Sequence, residues 1–208
     1  MNYIIVGAGG MGREVYSWLL QTIANNVTHR IIGFIDDNPN ALDTYSYPID
    51  VIQNISSYEP SPNHELILAI LDPQKKQEIA MFLLNKGARF YTLIHPSAII
   101  GANVTIGEGS IICPNCILTS DLKIGRFVFL NTSSTIGHDS IIGDYCSING
   151  KVEITGNVQI GSACLFGVGA KVIPGRKIGE GATIGAGSIV IRHVPAHTTV
   201  FGNPAKKI

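Results

Sequence analysis

Ile124-Gly-Arg-Phe-Val-Phe-Leu130-Asn-Thr-Ser-Ser-Thr-Ile136-Gly-His-Asp-Ser-Ile-Ile142-Gly143 decides the fold, because a large apolar residue returns at every sixth position and Gly or Asn follows it. The same step runs back to Ile94 and on to Val190. It passes through Ile100, Ile106, Ile112, Leu118, Ile148, Ile154, Ile160, Phe166, Val172, Ile178 and Ile184 without a slip. A chain that is 45% apolar does not do this by chance. A fixed short period is the signature of a repeat architecture. Within each hexad the second position is glycine nine times, from Gly101 to Gly185, and the fourth is rich in Gly, Asn and Asp. Both are read as turn positions that tolerate φ > 0. The fifth is small or short, as in Ser134, Ser140, Cys146, Val152 and Cys164. The expectation is a short strand, a corner and another short strand. Three hexads then close one triangular coil, and the run from Ile94 to Val190 makes about five such coils. Large residues at position one and small ones at position five fill the interior, with Cys146 stacked on Cys164.

About 90 residues precede the repeats. Asn2–Val6 reads as a strand running into Gly7-Ala-Gly9-Gly10-Met-Gly12, followed by an amphipathic helix over Arg13–Ala24. Ile31–Ile35 is a second strand, ending in Asp36-Asp37. Leu66–Ile70 is a third, Pro73–Asn85 a helix stopped by Gly87, and Phe90–Leu93 a fourth strand. The domains are therefore 1–92, a Rossmann-like α/β unit, and 93–208, an all-β parallel β-helix with a C-terminal tail. A glycine turn after a strand places backbone N–H groups and a helix N-terminus beside a phosphate, which marks Gly7, Gly9 and Gly10. Asp36 and Asp37 stand where hydroxyls or a base edge would be received. A nicotinamide dehydrogenase shares this motif but needs a second half-domain for which there is no room. A glycine turn serving only close packing remains the plain structural reading.

The net charge is zero, which argues against a general nucleic-acid binder. It is unevenly spread. Residues 1–150 hold 8 Lys/Arg against 13 Asp/Glu, and residues 151–208 hold 7 against 2. The basic C-terminal third, with Lys171, Arg176, Lys177 and Arg192, could attract phosphate. No 18-residue apolar run suits a membrane span, and the N-terminus does not resemble a signal peptide, so no membrane insertion and a cytoplasmic location are expected. Cys113-Pro-Asn-Cys116 has metal-ligand spacing but no second pair at matching spacing, so no metal is expected.

The hexapeptide run resembles the left-handed β-helix transferases. The whole layout of Rossmann-like unit, His95-Pro-Ser-Ala, repeats and Gly202-Asn-Pro-Ala-Lys206 resembles the PglD/NeuD-like sugar acetyltransferases. The resemblance implies the left hand, whereas ordinary crossovers between parallel strands are right-handed. It also implies a homotrimer with active sites between neighbouring helices, a nucleotide-linked amino sugar on the N-terminal domain, and acetyl-CoA as co-substrate along the β-helix.

One histidine of the six stands apart. His138 occupies the third position of its hexad, with Ser120 one coil below and Gly156 and Pro174 above, so its imidazole projects over an open shelf. Acyl transfer from a thioester needs a base for the attacking group's proton, and histidine titrates near neutrality. An adjacent carboxylate, Asp139 or Asp144, could fix its tautomer. The pattern Asn131-Thr…His138-Asp-x-x-Ile-Gly-Asp144 matches the family. It implies His138 and Asp139 as catalytic residues, Gly156 N–H as oxyanion donor, and Gly156, Val168 and Ala186 as the CoA path. Asn131 and Ser147 are implied on the substrate side. Many members carry a second histidine nine positions after the first, where this chain has Ser147-Ile-Asn149-Gly150. The reading is an acetyl-CoA-dependent N-acetyltransferase acting on the 4-amino group of a nucleotide-linked 4-amino-4,6-dideoxysugar. The alternatives are an O-acetyltransferase of sialic or nonulosonic acid and a non-enzymatic nucleotide-binding trimer scaffold.

Overall fold

The computed structural model describes all 208 residues. Four strands, β1 (Asn2–Val6), β2 (Arg30–Ile35), β3 (Val51–Gln53) and β4 (His64–Leu68), form a parallel sheet in the order β3-β2-β1-β4. Helix α1 (Gly10–Ile23) connects β1 to β2, and helix α2 (Pro73–Asn85) follows β4. Asp72 caps α2, its Oδ1 accepting from Gln74 N at 3.0 Å and Lys75 N at 2.9 Å, and Pro73 follows as the first helical residue.

Several boundaries differ from expectation for local reasons. The second half of the glycine motif, Gly10 to Gly12, is part of α1 rather than a loop before it, so the helix opens at Gly10 with Gly9 as its cap. Val51–Gln53 is too short to carry a period, and only pairing with β2 makes it a strand. Strand β4 starts and ends earlier than Leu66–Ile70, freeing Ile70 and Leu71 to turn toward the Asp72 cap. Phe90 makes a single bridge to Leu66, and Leu93–Ile94 (β5) already belongs to the first coil.

From β5 onward, each short strand pairs in register with the strand three hexads later: Leu93, Ile111, Phe129, Ser147, Leu165 and Thr183 stack as one column. Three sheets result, the faces of a left-handed β-helix, parallel except where Lys206–Lys207 pairs antiparallel with Thr199–Phe201 at the end of one of them. They are designated the first face (starting at Leu93), the second (Ile99) and the third (Thr105). The final step, Thr183 to Thr199, is shorter than three hexads, so a shortened sixth coil tops the five that the repeat count suggests. Position one fills the interior, and the serines at position five are satisfied there. Ser134 Oγ, for example, donates to Asn149 O and accepts from Val152 N. Cys146 and Cys164 are buried on successive coils, Cys146 Sγ donating to Gly161 O and Cys164 Sγ to Gly179 O, each at 3.1 Å.

Position four adopts the left-handed region from Asn103 to Gly187, even where the residue is Phe127 (φ 55°), Tyr145 (φ 60°) or Ala163 (φ 55°). The glycines at position two have a different purpose from the one expected. None of them has positive φ; each lies against the next coil. A Cβ on Gly143 would sit 2.5 Å from Ser162 N, and one on Gly137 2.5 Å from Gly156 N. Backbone cannot swing aside as a side chain can. Gly143→Ala is therefore expected to destabilise the fold by about 1–3 kcal/mol, the usual cost of overpacking, read as a lower urea midpoint.

The outward-pointing residues show where the N-terminal domain rests. On the first face Leu93, Ile111, Phe129 and Ser147 are all buried, whereas Ile99, Ile117 and Ile141 on the other faces are exposed. The domain covers the lower coils of the first face and the edge between the third and first faces. There Phe90 meets Phe127 edge-on at 4.9 Å and Phe127 stacks on Tyr145 at 5.4 Å. Burial of these rings offsets the strain of two aromatic residues in left-handed backbone.

Candidate active site

The β-helix has three edges, and the functional candidates divide among them. The edge between the third and first faces is taken by the N-terminal domain. The edge between the second and third faces carries, in ascending coils, Ser120, His138, Gly156, Pro174 and Arg192 as one column. Backbone bonds tie that column together: Asp139 N donates to Ser120 O, Asn157 N to His138 O and Gly175 N to Gly156 O. The edge between the first and second faces carries Asn131, Thr132, Gly150, Val168 and Ala186.

His138 projects into solvent, its side chain 65% exposed. Its Nδ1 lies 2.7 Å from Asp139 Oδ2. Asp139 sits in left-handed backbone (φ 60°), which swings its carboxylate back beside the preceding side chain. With Nδ1–H donated to the carboxylate, Nε2 is the ring's acceptor and faces away from the pair. Asp144, the other carboxylate considered, is turned elsewhere and accepts from Arg126 N at 2.8 Å. The imidazole lies across Gly156. A Cβ there would be 2.6 Å from Nε2 and 2.7 Å from Cε1. Gly156 is a buried residue, and its N–H donates to no acceptor in the chain. An acceptor nitrogen thus lies over a residue whose backbone donor is unused.

Gly156, Val168 and Ala186 do not form one path on a single chain. Gly156 belongs to the His138 edge, while exposed Val168 and Ala186 lie on the edge that also holds Asn131. Asn131 Oδ1 accepts from Thr132 N at 2.7 Å. Of the basic candidates, Lys171 pairs with Glu153, and Arg176 turns to the carbonyls of Pro174 and Ile191. Lys177 and Arg192 are exposed without an ion-pair partner, Arg192 in the His138 column. His95 is buried against Gln21 and Ser97. His193 accepts from Lys177 N, and the ring of His197 lies over Gly181, so all three are held by the fold.

On the N-terminal domain the glycine turn presents an open helix end. Gly9 caps α1 without a side-chain acceptor, the first turn has no carboxylate, and Gly9 and Gly10 are exposed. Such an end attracts anions. Gly7 is in left-handed backbone (φ 97°), and Gly12 is required because a Cβ there would collide with Gly7 O. Asp36 is committed to the loops: Oδ2 accepts from Ala8 N at 2.7 Å and Oδ1 from Asn38 N at 2.9 Å. Asp37 gives one oxygen to Ile55 N and keeps the other free. The Arg13 guanidinium stacks 3.7 Å over the Tyr45 ring beside this turn. Sequence reading missed that pair because its members stand on segments far apart in the chain.

Ser147 requires a correction. It does not face a substrate shelf; it is fully buried beneath α2, and its Oγ accepts from Lys76 Nζ at 2.7 Å. Lys76 Nζ also donates to Cys146 O at 2.9 Å. Burial draws the Lys76 ammonium down to about 7. Pro73, Lys76, Ala80 and Leu83 form the buried stripe of α2, so a lysine inside a helical apolar period was the signal that could have found it.

The N-terminal residues 2–83 match the family model described as the PglD N-terminal domain, and residues 90–120 match the bacterial transferase hexapeptide (six repeats). No curated protein matches the chain. Among solved structures, WeeI from Acinetobacter baumannii AYE is 30% identical over all of both chains, with a TM-score of 0.88. PerB from Caulobacter crescentus, solved with CoA and GDP-perosamine, is 25% identical over 100% of this chain and 97% of its own (TM-score 0.87). The acetyltransferase domain of PglB from Neisseria gonorrhoeae, solved with acetyl coenzyme A, is 26% identical over 100% and 98% (TM-score 0.88). The chain belongs to the PglD-like sugar acetyltransferases of the hexapeptide-repeat superfamily. No helix is long and apolar enough to cross a membrane.

Proposed function

We propose that this protein transfers the acetyl group of acetyl-CoA to the 4-amino group of a nucleotide-linked 4-amino-4,6-dideoxysugar, with His138 as general base. The observation that carries the proposal is the His138 shelf: Nδ1 at 2.7 Å from Asp139, Nε2 over Gly156, and a free Gly156 N–H beside it. His138 Nε2 removes the proton from the attacking amine as the nitrogen–carbon bond forms. Asp139 stabilises the imidazolium that results. Gly156 N–H receives the charge that develops on the carbonyl oxygen. His138 then returns its proton to the departing thiolate as the carbon–sulfur bond breaks, so no acyl-enzyme forms. The interior thiols cannot compete as nucleophiles, since Cys113, Cys116, Cys146 and Cys164 are all buried.

The glycine turn and the open end of α1 would take the nucleotide diphosphate, with Asp37 left to meet a base or hydroxyl. The division of Gly156 from Val168 and Ala186 between two edges supports a trimer: one CoA touches both sets only when it lies between neighbouring helices. PerB and PglB, solved with CoA or acetyl coenzyme A, support that co-substrate, and GDP-perosamine bound to PerB supports an amino-sugar acceptor.

Thiol release from acetyl-CoA, followed with matched acceptors carrying 4-amino or 4-hydroxyl groups, tests the amine assignment. The 4-amino acceptor is expected to react and its hydroxyl counterpart not. Faster release with a nonulosonic acid would move the protein to the O-acetyltransferase branch.

A further inference from the structure

We propose that Lys76 and Ser147 form a positioning pair that fixes the N-terminal domain against the β-helix, and thereby sets where the acceptor amine meets the thioester; this rests on the function proposed above.

Lys76 is the one Lys, Arg, Asp or Glu among the buried residues of the chain. It stands on α2, and its two partners, Cys146 O and Ser147 Oγ, stand on the β-helix, far along the chain. Along the first face and at its edge the rest of that junction is apolar, through Leu93, Ile111, Phe129 and the Phe90–Phe127 contact. A second polar tie, His95 Nε2 to Gln21 Oε1 of α1 at 2.6 Å, lies at its base beside the covalent link between the domains and leaves the upper coils to Lys76. Apolar contacts are non-directional and tolerate sliding, whereas two short hydrogen bonds from one ammonium admit a single register. Cohesion alone would be better served by a methionine or leucine, since burying an ammonium costs several kcal/mol. A buried ionic group retained at that cost is the kind of device that specifies one arrangement over its neighbours.

The register matters because the two substrates sit on opposite sides of this junction. Helix α2 is continuous with the sheet that carries the glycine turn: Ala80 and Leu83 pack against β1 and β4 through Ile4, Val6, Leu66 and Leu68. Cys146 and Ser147 belong to coils whose backbone continues to the edges where the thioester would lie. A shift of α2 along the first face therefore moves the nucleotide end of the acceptor relative to the acyl group. Neither binding site need change. A misplacement of about 1 Å is enough to cost on the order of 10² in rate.

The test uses the full chain with the double substitution Lys76→Met and Ser147→Ala, which removes the ammonium and the hydroxyl it would strand. Melting temperature, the Kd of CoA, and the inhibition constants of GDP, UDP and dTDP are measured beside kcat/KM for the matching nucleotide-linked 4-amino sugars. The proposal expects unchanged or higher melting temperature, both binary affinities within about twofold, and a fall of roughly 10- to 100-fold in kcat/KM. Unchanged kcat/KM overturns it, as does a fall matched by an equal loss of CoA or nucleotide affinity. If the double variant does not fold, Ser147→Ala alone keeps the bond to Cys146 O; a several-fold fall supports the pair and none contradicts it. If the unsubstituted protein transfers no acetyl group to any of these acceptors, the functional reading itself fails, which is a separate result.

Discussion

His138→Ala is expected to lower kcat by about 10²–10⁴ while leaving CoA and nucleotide-sugar affinities nearly unchanged. The reason is chemical. An amine attacking a thioester acquires positive charge that must be shed as the bond forms, and Nε2 is the acceptor placed beside the Gly156 donor. Losing that group removes an interaction made in the transition state rather than in the ground state, so kcat and kcat/KM should fall together. The loss corresponds to about 2.7–5.5 kcal/mol of barrier. Stability should not change measurably, because the side chain is 65% exposed and bonds only to its neighbour Asp139. Steady-state kinetics with calorimetric CoA binding separates the two effects. A raised KM at constant kcat would make His138 a binding residue instead.

The second large effect is predicted for Gly156→Ala. A single methyl at this position would sit 2.6 Å from His138 Nε2, so the imidazole must leave the shelf. Gly156 is not in left-handed backbone, and the obstructing atoms are the far end of an exposed side chain, so the fold yields at little cost. Catalysis does not share that tolerance, since the proposed base is driven away from the Gly156 N–H proposed as the oxyanion donor. The expected loss is at least about 10²-fold in kcat, with a melting temperature close to the parent's. The contrast with Gly143→Ala is instructive. There the added carbon meets the backbone of the next coil, so stability falls while the chemistry is spared.

Much of the architecture was legible because a β-helix writes itself into sequence one hexad at a time. The step of one hexad located every strand from Leu93 to Val190, and the step of three hexads placed Gly156 above His138 from the sequence alone. Position-two glycine was recognised for the wrong reason. Composition marks a residue that must be small, but it does not say whether a dihedral angle or a neighbouring coil demands it. Position six carried no signal at all. Leu93, Ile111 and Phe129 look like Ile99, Ile117 and Ile141, and only the docked domain separates buried from exposed. The N-terminal domain was harder throughout, since β3 and the Arg13–Tyr45 pair depend on contacts between distant segments.

The candidate site was read unevenly for the same reason. His138 and Asp139 are sequence neighbours, so their contact follows from local geometry. Ser147 was assigned by its match to the position of a second histidine, and nothing local warned that a lysine from the N-terminal domain would cover it. The three edges of the helix likewise emerge only when the coils are stacked. They separate Gly156 from Val168 and Ala186, the division that the step of six could not show.

The central claim is tested most directly by the stoichiometry of turnover. The protein is incubated with acetyl-CoA and a nucleotide-linked 4-amino-4,6-dideoxysugar, and free CoA thiol is counted against product resolved by mass spectrometry. The account predicts thiol release that requires the sugar, one N-acetylated sugar for each thiol, and near-abolition of both by His138→Ala. Thiol release independent of the amino sugar, or a product that is an ester cleaved by mild base, would contradict it.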